Sequence, residues 1–320
     1  MTTPSVTMSD SLYRRILAWM DERFPFANAL LFFILYLTSA VVARSTLEGE
    51  VSLSLIDVAS CIVTWSLFLV IRIFDEHKDY ELDVKNHPQR VLQSGLITLK
   101  HLKTLAVFSV AIQVTWSLSL DGFTFGAVTI SWLIMFVYLC LMGAEFFCGE
   151  WLEKRLTLYA LSHMLIMPLI VYWLANLAVP GVELSASLII MMVLAFVSGF
   201  CFEITRKTRG PEEERDTVDS YSRIFGTKGS AYVVIGLIFG MLATQVALIH
   251  FLGATPVWGY GIALVAMFFL SVSQVVKFIK EPTLKGREKN EAAVAINMLA
   301  GYLIVMIAVF IENGFTGSIF

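Results

Sequence analysis

From residue 26 onward the chain alternates between apolar runs of about 20 residues and brief polar interruptions, the pattern of helices that cross a bilayer in succession. Nine runs stand out: Phe26–Ala43, Leu53–Phe74, Leu105–Leu120, Phe125–Ala144, Leu156–Leu177, Ser185–Phe202, Ala231–Leu252, Val257–Phe278 and Ala293–Ile311. Backbone groups in hydrocarbon must be satisfied within their own segment, so helices and not isolated strands are expected. The predicted fold class is all-α: residues 26–320 form a polytopic membrane protein, a bundle of nine transmembrane helices with the termini on opposite sides. Residues 1–25 differ. They are polar and mixed, carry Arg14, Arg15 and Arg23, and lack the apolar core and small-residue cleavage site of a signal peptide. Leu12, Ile16, Leu17 and Met20 stand at helical spacing there, which predicts a short amphipathic helix on the membrane surface or else an unstructured tail.

Composition supports the membrane reading. The chain is 57% hydrophobic with a mean hydropathy of +0.75, more apolar surface than a soluble domain of 320 residues needs. The net charge of −3 gives no reason to expect a nucleic-acid partner. Cys61, Cys140, Cys148 and Cys201 form no CxxC pair and read as small packing residues rather than a disulfide framework or a zinc site.

The distribution of charge says more than its sum. The short loops at 45–51, 121–124, 178–184 and 253–256 hold no Lys or Arg, and neither does the tail 312–320. Of 23 Lys and Arg residues, 22 fall on the other side, and Arg44 is the exception. Basic residues stay cytoplasmic, which places the N-terminus and the long loops in the cytoplasm and the C-terminus across the membrane. The bacterial inner membrane is the expected location. Two long loops, 75–103 and 203–229, share a layout: an acid at the end of a run, charged helix-compatible sequence, then Pro and Gly. That is a hint of internal duplication.

The first loop opens Asp75-Glu76-His77-Lys78-Asp79-Tyr80-Glu81-Leu82-Asp83. On a continuous helix Glu76, Asp79 and Asp83 fall at i, i+3 and i+7, and Asp75 joins nearly the same stripe. Carboxylates so close repel one another and raise each other's pKa unless a cation sits among them. Hard oxygen donors beside a membrane suit Mg²⁺, which takes a few carboxylates together with waters and substrate phosphates. The plainer reading is a solvated acidic helix partly neutralised by Lys78 and Lys85. Arg72 lies one turn earlier, inside the apolar run. Pro88 should stop the acidic helix, and Ser94-Gly95 should turn the chain into the next one. Arg90 either faces a phosphate or ties the loop to lipid headgroups.

In the second loop Arg206 and Lys207 follow Glu203 by three and four residues, on its face. Both can contact phosphate oxygens without a metal, Arg through paired donors and Lys as a point charge. Arg209 and Arg215 read as membrane anchors. His163, with Tyr159 and Ser162, is an ionisable group inside a run and so a functional candidate, although a satisfied core histidine fits as well. Gln113, Asn176, Gln245, Gln274 and Asn297 can join helices by hydrogen bonds.

Asp75-Glu76-x-x-Asp79-x-x-x-Asp83, followed by Pro88-x-Arg90-x-x-x-Ser94-Gly95, resembles the first aspartate-rich motif of the UbiA superfamily of intramembrane prenyltransferases. That motif typically reads Asn-Asp-x-x-Asp-x-x-x-Asp, then a segment of the Arg-Pro-x-x-Ser-Gly kind. Trp151-Leu152-Glu153-Lys154-Arg155-Leu156-Thr157 is similar to the family's Lys-Arg-x-Thr segment, and Thr217 to Gly226 to its entry into the seventh span. The resemblance implies Mg²⁺, a polyprenyl diphosphate donor and a lipophilic or aromatic acceptor, handled among membrane lipids. It implies metal binding by Asp75, Glu76, Asp79 and Asp83, with Asp79, Asp83 and Lys154 as catalytic residues. Lys154, Arg206 and Lys207 would clamp the diphosphate, with Arg72 and Arg90 as second choices. The chain departs from the family in two places. It opens the first motif with Asp75-Glu76, and it replaces the second aspartate-rich motif by Glu203 followed by basic residues. Glu203 is then a second metal ligand or a residue that orients Arg206, and Glu213 and Asp219 are the other acids left for a second metal.

The expected function is therefore Mg²⁺-dependent transfer of a prenyl group. Its rivals are a transferase of the same fold with a phosphoribosyl or nucleotide-linked donor, a UbiA-type terpene cyclase, and a transporter. The near absence of Asp and Glu inside the runs argues against conduction.

Overall fold

The computed structural model describes residues 6–47, 51–214, 220–255 and 257–317. A helix α1 (Leu12–Arg23) stands before the bundle, N-capped by Ser11, whose hydroxyl accepts the Arg14 N–H. It buries Trp19 and Met20, with Phe24 just beyond. The bundle follows as α2 (Ala29–Arg44), α3 (Leu55–Lys78), a short α4 (Tyr80–Asn86), α5 (Leu99–Leu120), α6 (Ala127–Gly143), a short α7 (Gly149–Glu153), α8 (Leu156–Met164), α9 (Ile166–Ala178), α10 (Ala186–Arg206), α11 (Tyr221–Phe251), α12 (Val257–Lys280) and α13 (Leu284–Asn313). Among the described residues 8 helical segments are long and apolar enough to cross a membrane. The 17-residue α6 takes the place of the fourth expected span. The chain is an all-α integral membrane protein in which α10 packs along α11, α3 along α5, α12 along α13, and α2 and α6 against α9.

The helices outrun the hydropathy at the end that holds the long loops. Thr98, Ser220 and Thr283 cap α5, α11 and α13 several residues before the apolar runs begin. Hydropathy marks only the lipid-matched part of a helix, and each continues through charged turns beyond it. The fifth run is broken between α8 and α9. Pro168 lacks an N–H, and its ring would strike the Met164 carbonyl, so the helix restarts at Ile166. A second break falls at Gly226, whose φ of 71° bends α11 near its start.

At the opposite end the structure adds a feature the sequence did not signal. β1 (Val51–Leu53) and β2 (Phe315–Gly317) form a parallel pair, each too short to show a strand period. Arg44, the one basic residue at that end, is accounted for there. Its guanidinium donates to both oxygens of buried Asp57, at 2.8 and 3.1 Å, and to the Ser52 carbonyl at 2.8 Å. Tyr36 donates to Asp57 at 2.7 Å. Inside the bundle Gln113 bridges helices, donating to Ser66 on α3 at 3.3 Å and accepting from Trp132 on α6 at 3.1 Å.

Candidate active site

The end of α3 decides where the acids go. The helix breaks at Asp79 (φ −91°, ψ 5°), and α4 then ends before His87-Pro88. The single stripe expected of a continuous helix is therefore divided. The Glu76 side chain is fully buried and receives Arg23 Nε at 2.6 Å together with the Arg72 guanidinium. Asp83 pairs with Arg90 at 2.9 Å and Arg23 at 3.3 Å. Asp75 and Asp79 are more loosely held: their side chains are 44% and 48% exposed, with Arg72 3.9 Å from Asp75 and Lys78 4.0 Å from Asp79. Glu203 is held by Arg206 at 2.8 Å and Lys207 at 2.9 Å. Asp75, Glu76, Asp79, Asp83 and Glu203 are thus not gathered as one ligand set, and among the described residues no three acidic, His or Cys side chains form a metal cage. The reason is electrostatic: a carboxylate shut away from water needs a counter-charge, and arginines supply it first.

The two charged loops meet at one aromatic ring. Lys78 Nζ donates to Tyr159 Oη at 2.6 Å and lies 5.3 Å from the ring centroid. Lys207 Nζ lies 5.9 Å from the same ring. Tyr159 Oη is also 3.4 Å from Glu145 Oε1, and the ring stacks on His163 at 4.0 Å. Arg206 and Glu203 lie within electrostatic reach of Asp75, and Lys207 within reach of Asp79. His163 Nδ1 sits 2.8 Å from the Tyr159 carbonyl oxygen. In the sequence Lys78 stands out only as a neutralising charge and Tyr159 as a companion of His163. Glu145 carried no signal at all.

Other expected cations stand elsewhere. Lys154 is exposed at the turn between α7 and α8, beside Arg155, which lies over Trp151 at 4.2 Å. Arg72 and Arg90 are engaged with Glu76 and Asp83. The second loop is pinned at both ends. Tyr221 N–H donates to the Lys207 carbonyl at 3.0 Å, and Arg209 N–H to Ser222 Oγ at 2.7 Å. Arg287 of α13 holds Glu213 at 2.7 Å. Arg215, Asp216 and Asp219, with the rest of 215–219, lie outside the described residues.

Beside Lys78 a cavity of about 500 Å³ opens between α3, α5 and α6. Ile73, Phe74, Ala106, Cys140 and Gly143 make it apolar, and His77, Lys78 and Lys103 supply its polar lining. Burial raises the Asp79 pKa, Asp83 and Glu76 add to the rise, and Lys78 and Lys207 oppose it. A carboxylate pushed up first by burial and then by neighbouring acids is one that gains from a bound cation. Asp75 and Asp79, one helical turn apart and each partly exposed, are hard oxygen donors that fit one Mg²⁺ completed by waters and phosphate.

Comparison with known proteins bears on this arrangement. The family model described as the UbiA prenyltransferase family matches residues 31–287. Among solved structures, one from work on the biosynthesis of digeranylgeranylglyceryl phosphate synthase in membranes aligns at 18% identity and TM-score 0.63, covering 92% of this chain and 98% of that chain. The apo structure of a UbiA homologue from Aeropyrum pernix K1 aligns at 13% identity and TM-score 0.64, covering 87% and 98%. At these identities the likeness speaks for the fold. No curated protein matches the sequence.

Proposed function

This chain belongs to the UbiA prenyltransferase family, and on that footing we propose that it moves a prenyl group from a polyprenyl diphosphate to a lipophilic or aromatic acceptor, with Mg²⁺ as cofactor. The observation that carries the reading is the convergence on Tyr159. Lys78 from the first loop and Lys207 from the second stand on one ring, next to an apolar cavity. An anionic head and a greasy tail need that pairing of surfaces.

In this reading Arg206, Lys207 and Lys78 grip the diphosphate oxygens, and Glu203 orients the first two. Asp75 and Asp79 would hold Mg²⁺, which takes up part of the negative charge of the leaving diphosphate. Ile73, Phe74 and Ala106 receive the prenyl chain and keep water from its allylic carbon. The C–O bond to diphosphate breaks, and its electron pair leaves with the phosphate. The acceptor's nucleophilic atom bonds to the allylic carbon and gives up a proton. Fixed cations in a dry site stabilise that charge separation with little reorganisation. Lys154, exposed on its turn, would meet the diphosphate only after movement of the α7–α8 segment. The site and the N-terminus are assigned to the cytoplasm because the basic loops lie at that end.

The Arg206–Lys207 pair also favours a second reading, transfer of a phosphorylated sugar to a lipid, since it can hold a phosphate without a second metal. Purified protein in lipid nanodiscs, offered a panel of prenyl diphosphates, phosphoribosyl diphosphate and candidate acceptors with and without Mg²⁺, separates the readings by product mass. No prenylated product from any pair, alongside a phosphoribosylated lipid, would reject the first.

A further inference from the structure

We infer that Arg23 of α1 is a positioning residue for the metal-binding acids: it withdraws Glu76 and Asp83 and so leaves Asp75 and Asp79 as the accessible carboxylates of the loop. The inference rests on the reading of those two aspartates as the Mg²⁺ ligands. α1 ends at Arg23, before the first residue, 31, that the family model matches. The motif therefore leans on a helix outside the matched region.

The contacts run along the whole first loop. Arg23 donates through Nε to Glu76 at 2.6 Å and through Nη2 to Asp83 at 3.3 Å, one guanidinium spanning the break at Asp79. Glu22 accepts the Val91 N–H at 3.0 Å and stands 3.7 Å from Arg90, which holds Asp83 from the other side. Arg15 donates to the Leu96 carbonyl at 2.7 Å. The helix is fastened in turn by buried Trp19 and Met20, and by Phe24, which stacks on Phe32 at 5.7 Å and lies against Trp65 at 5.5 Å. From Glu76 to Leu96 the loop is thus braced by one short helix.

Five carboxylates stand within nine residues, 75–83. Without a fixed partner each would compete for the same cation, and their mutual repulsion would spread the loop. An arginine stays charged at any working pH, and its planar fork can hold two carboxylates at once. Glu76 is closed to water, so its pairing is not exchanged for hydration. Removal of Arg23 leaves Glu76 with Arg72 alone and Asp83 with Arg90 alone, and the orientation of Asp79 between them is lost.

The test uses the full-length protein in detergent, with Mn²⁺ as the spectroscopic probe and inorganic diphosphate as the anion. Manganese binding is followed by electron paramagnetic resonance. Arg23→Gln is expected to weaken Mn²⁺ binding about 10-fold, the usual cost of losing a residue that orients a ligand. The Mg²⁺ concentration for half-maximal turnover should rise in parallel, while KM for the donor at saturating Mg²⁺ stays within about 2-fold. Arg23→Lys should recover part of the loss. If Arg23→Gln merely lowers the folded, active fraction and leaves both metal curves in place, the positioning role is wrong. Should that variant not fold, Glu22→Gln releases Arg90 and Val91 more gently, and it should shift the Mn²⁺ curve in the same direction; an unmoved curve overturns the inference. A wild-type protein that binds no Mn²⁺, or binds it unchanged after Asp79→Asn, sinks the metal reading itself and the inference with it.

Discussion

Lys78 Nζ and Tyr159 Oη lie 2.6 Å apart although 81 residues separate them in the chain. The hydroxyl accepts from the ammonium and points its own proton toward Glu145 at 3.4 Å. The phenol thus holds the ammonium at the polar lining of the cavity. Tyr159→Phe keeps the ring and removes the acceptor, so kcat should fall about 10-fold, the value of one hydrogen bond. Lys78→Met removes the charge from the proposed diphosphate site and should cost on the order of 10²–10³ in kcat. Steady-state release of diphosphate measures both, and equal effects of the two changes would contradict the assigned roles.

Glu203 can be tested as an orienting residue. It binds Arg206 at 2.8 Å and Lys207 at 2.9 Å, which leaves little of its charge for a metal. Glu203→Gln should raise KM for the prenyl diphosphate roughly 10-fold, as one charge-assisted hydrogen bond is lost. The Mg²⁺ titration should keep its midpoint. A midpoint that moves instead would make Glu203 a ligand.

The transmembrane architecture was legible in the sequence because lipid imposes a simple rule: about 20 apolar residues per crossing. Pro88 and Gly95 were legible for similar reasons, as local constraints that need no partner; Gly95 has φ 82°. The division of the acids was not. Spacing alone put Glu76 and Asp83 on the stripe of Asp79. Their partners Arg23 and Arg90 lie 53 and 7 residues away from them, and nothing in a helical period announces those pairings. Lys78 was hidden for the same reason, since Tyr159 sits on a different span. The tiny β1–β2 sheet escaped because three-residue strands carry no period.

The end opposite the site offers a stability test separate from catalysis. Asp57 is 2% exposed and depends on Arg44, with further donors in Tyr36 and the Ser54 N–H at 2.8 Å. Arg44→Met strands a buried carboxylate and should destabilise the fold by about 3–5 kcal/mol. Thermal unfolding in detergent should show a clear drop in Tm. Turnover per folded molecule should be unchanged, because no group of the site touches this pair.

Asp79 links stability to catalysis through pH. Burial raises its pKa above 3.8, with Asp83 and Glu76 adding to the rise against Lys78 and Lys207. A raised carboxyl is favoured in the fold as its neutral form. Its contribution to stability is present below the unfolded value and is lost as pH rises through the folded one. The ionised form of Asp79 is therefore disfavoured by its surroundings, which fits its proposed role as a metal ligand. Asp79→Asn should leave Tm at pH 7 equal to or above wild type while activity falls by at least about 10²-fold, as expected for a lost metal ligand. Inorganic diphosphate with Mg²⁺ should raise the Tm of the wild type more than that of the variant. The acid limb of kcat/KM should break above the ordinary carboxylate pKa, since metal binding needs Asp79 ionised. A variant that melts well below wild type at pH 7 would show that Asp79 supports the fold and is not poised for a cation.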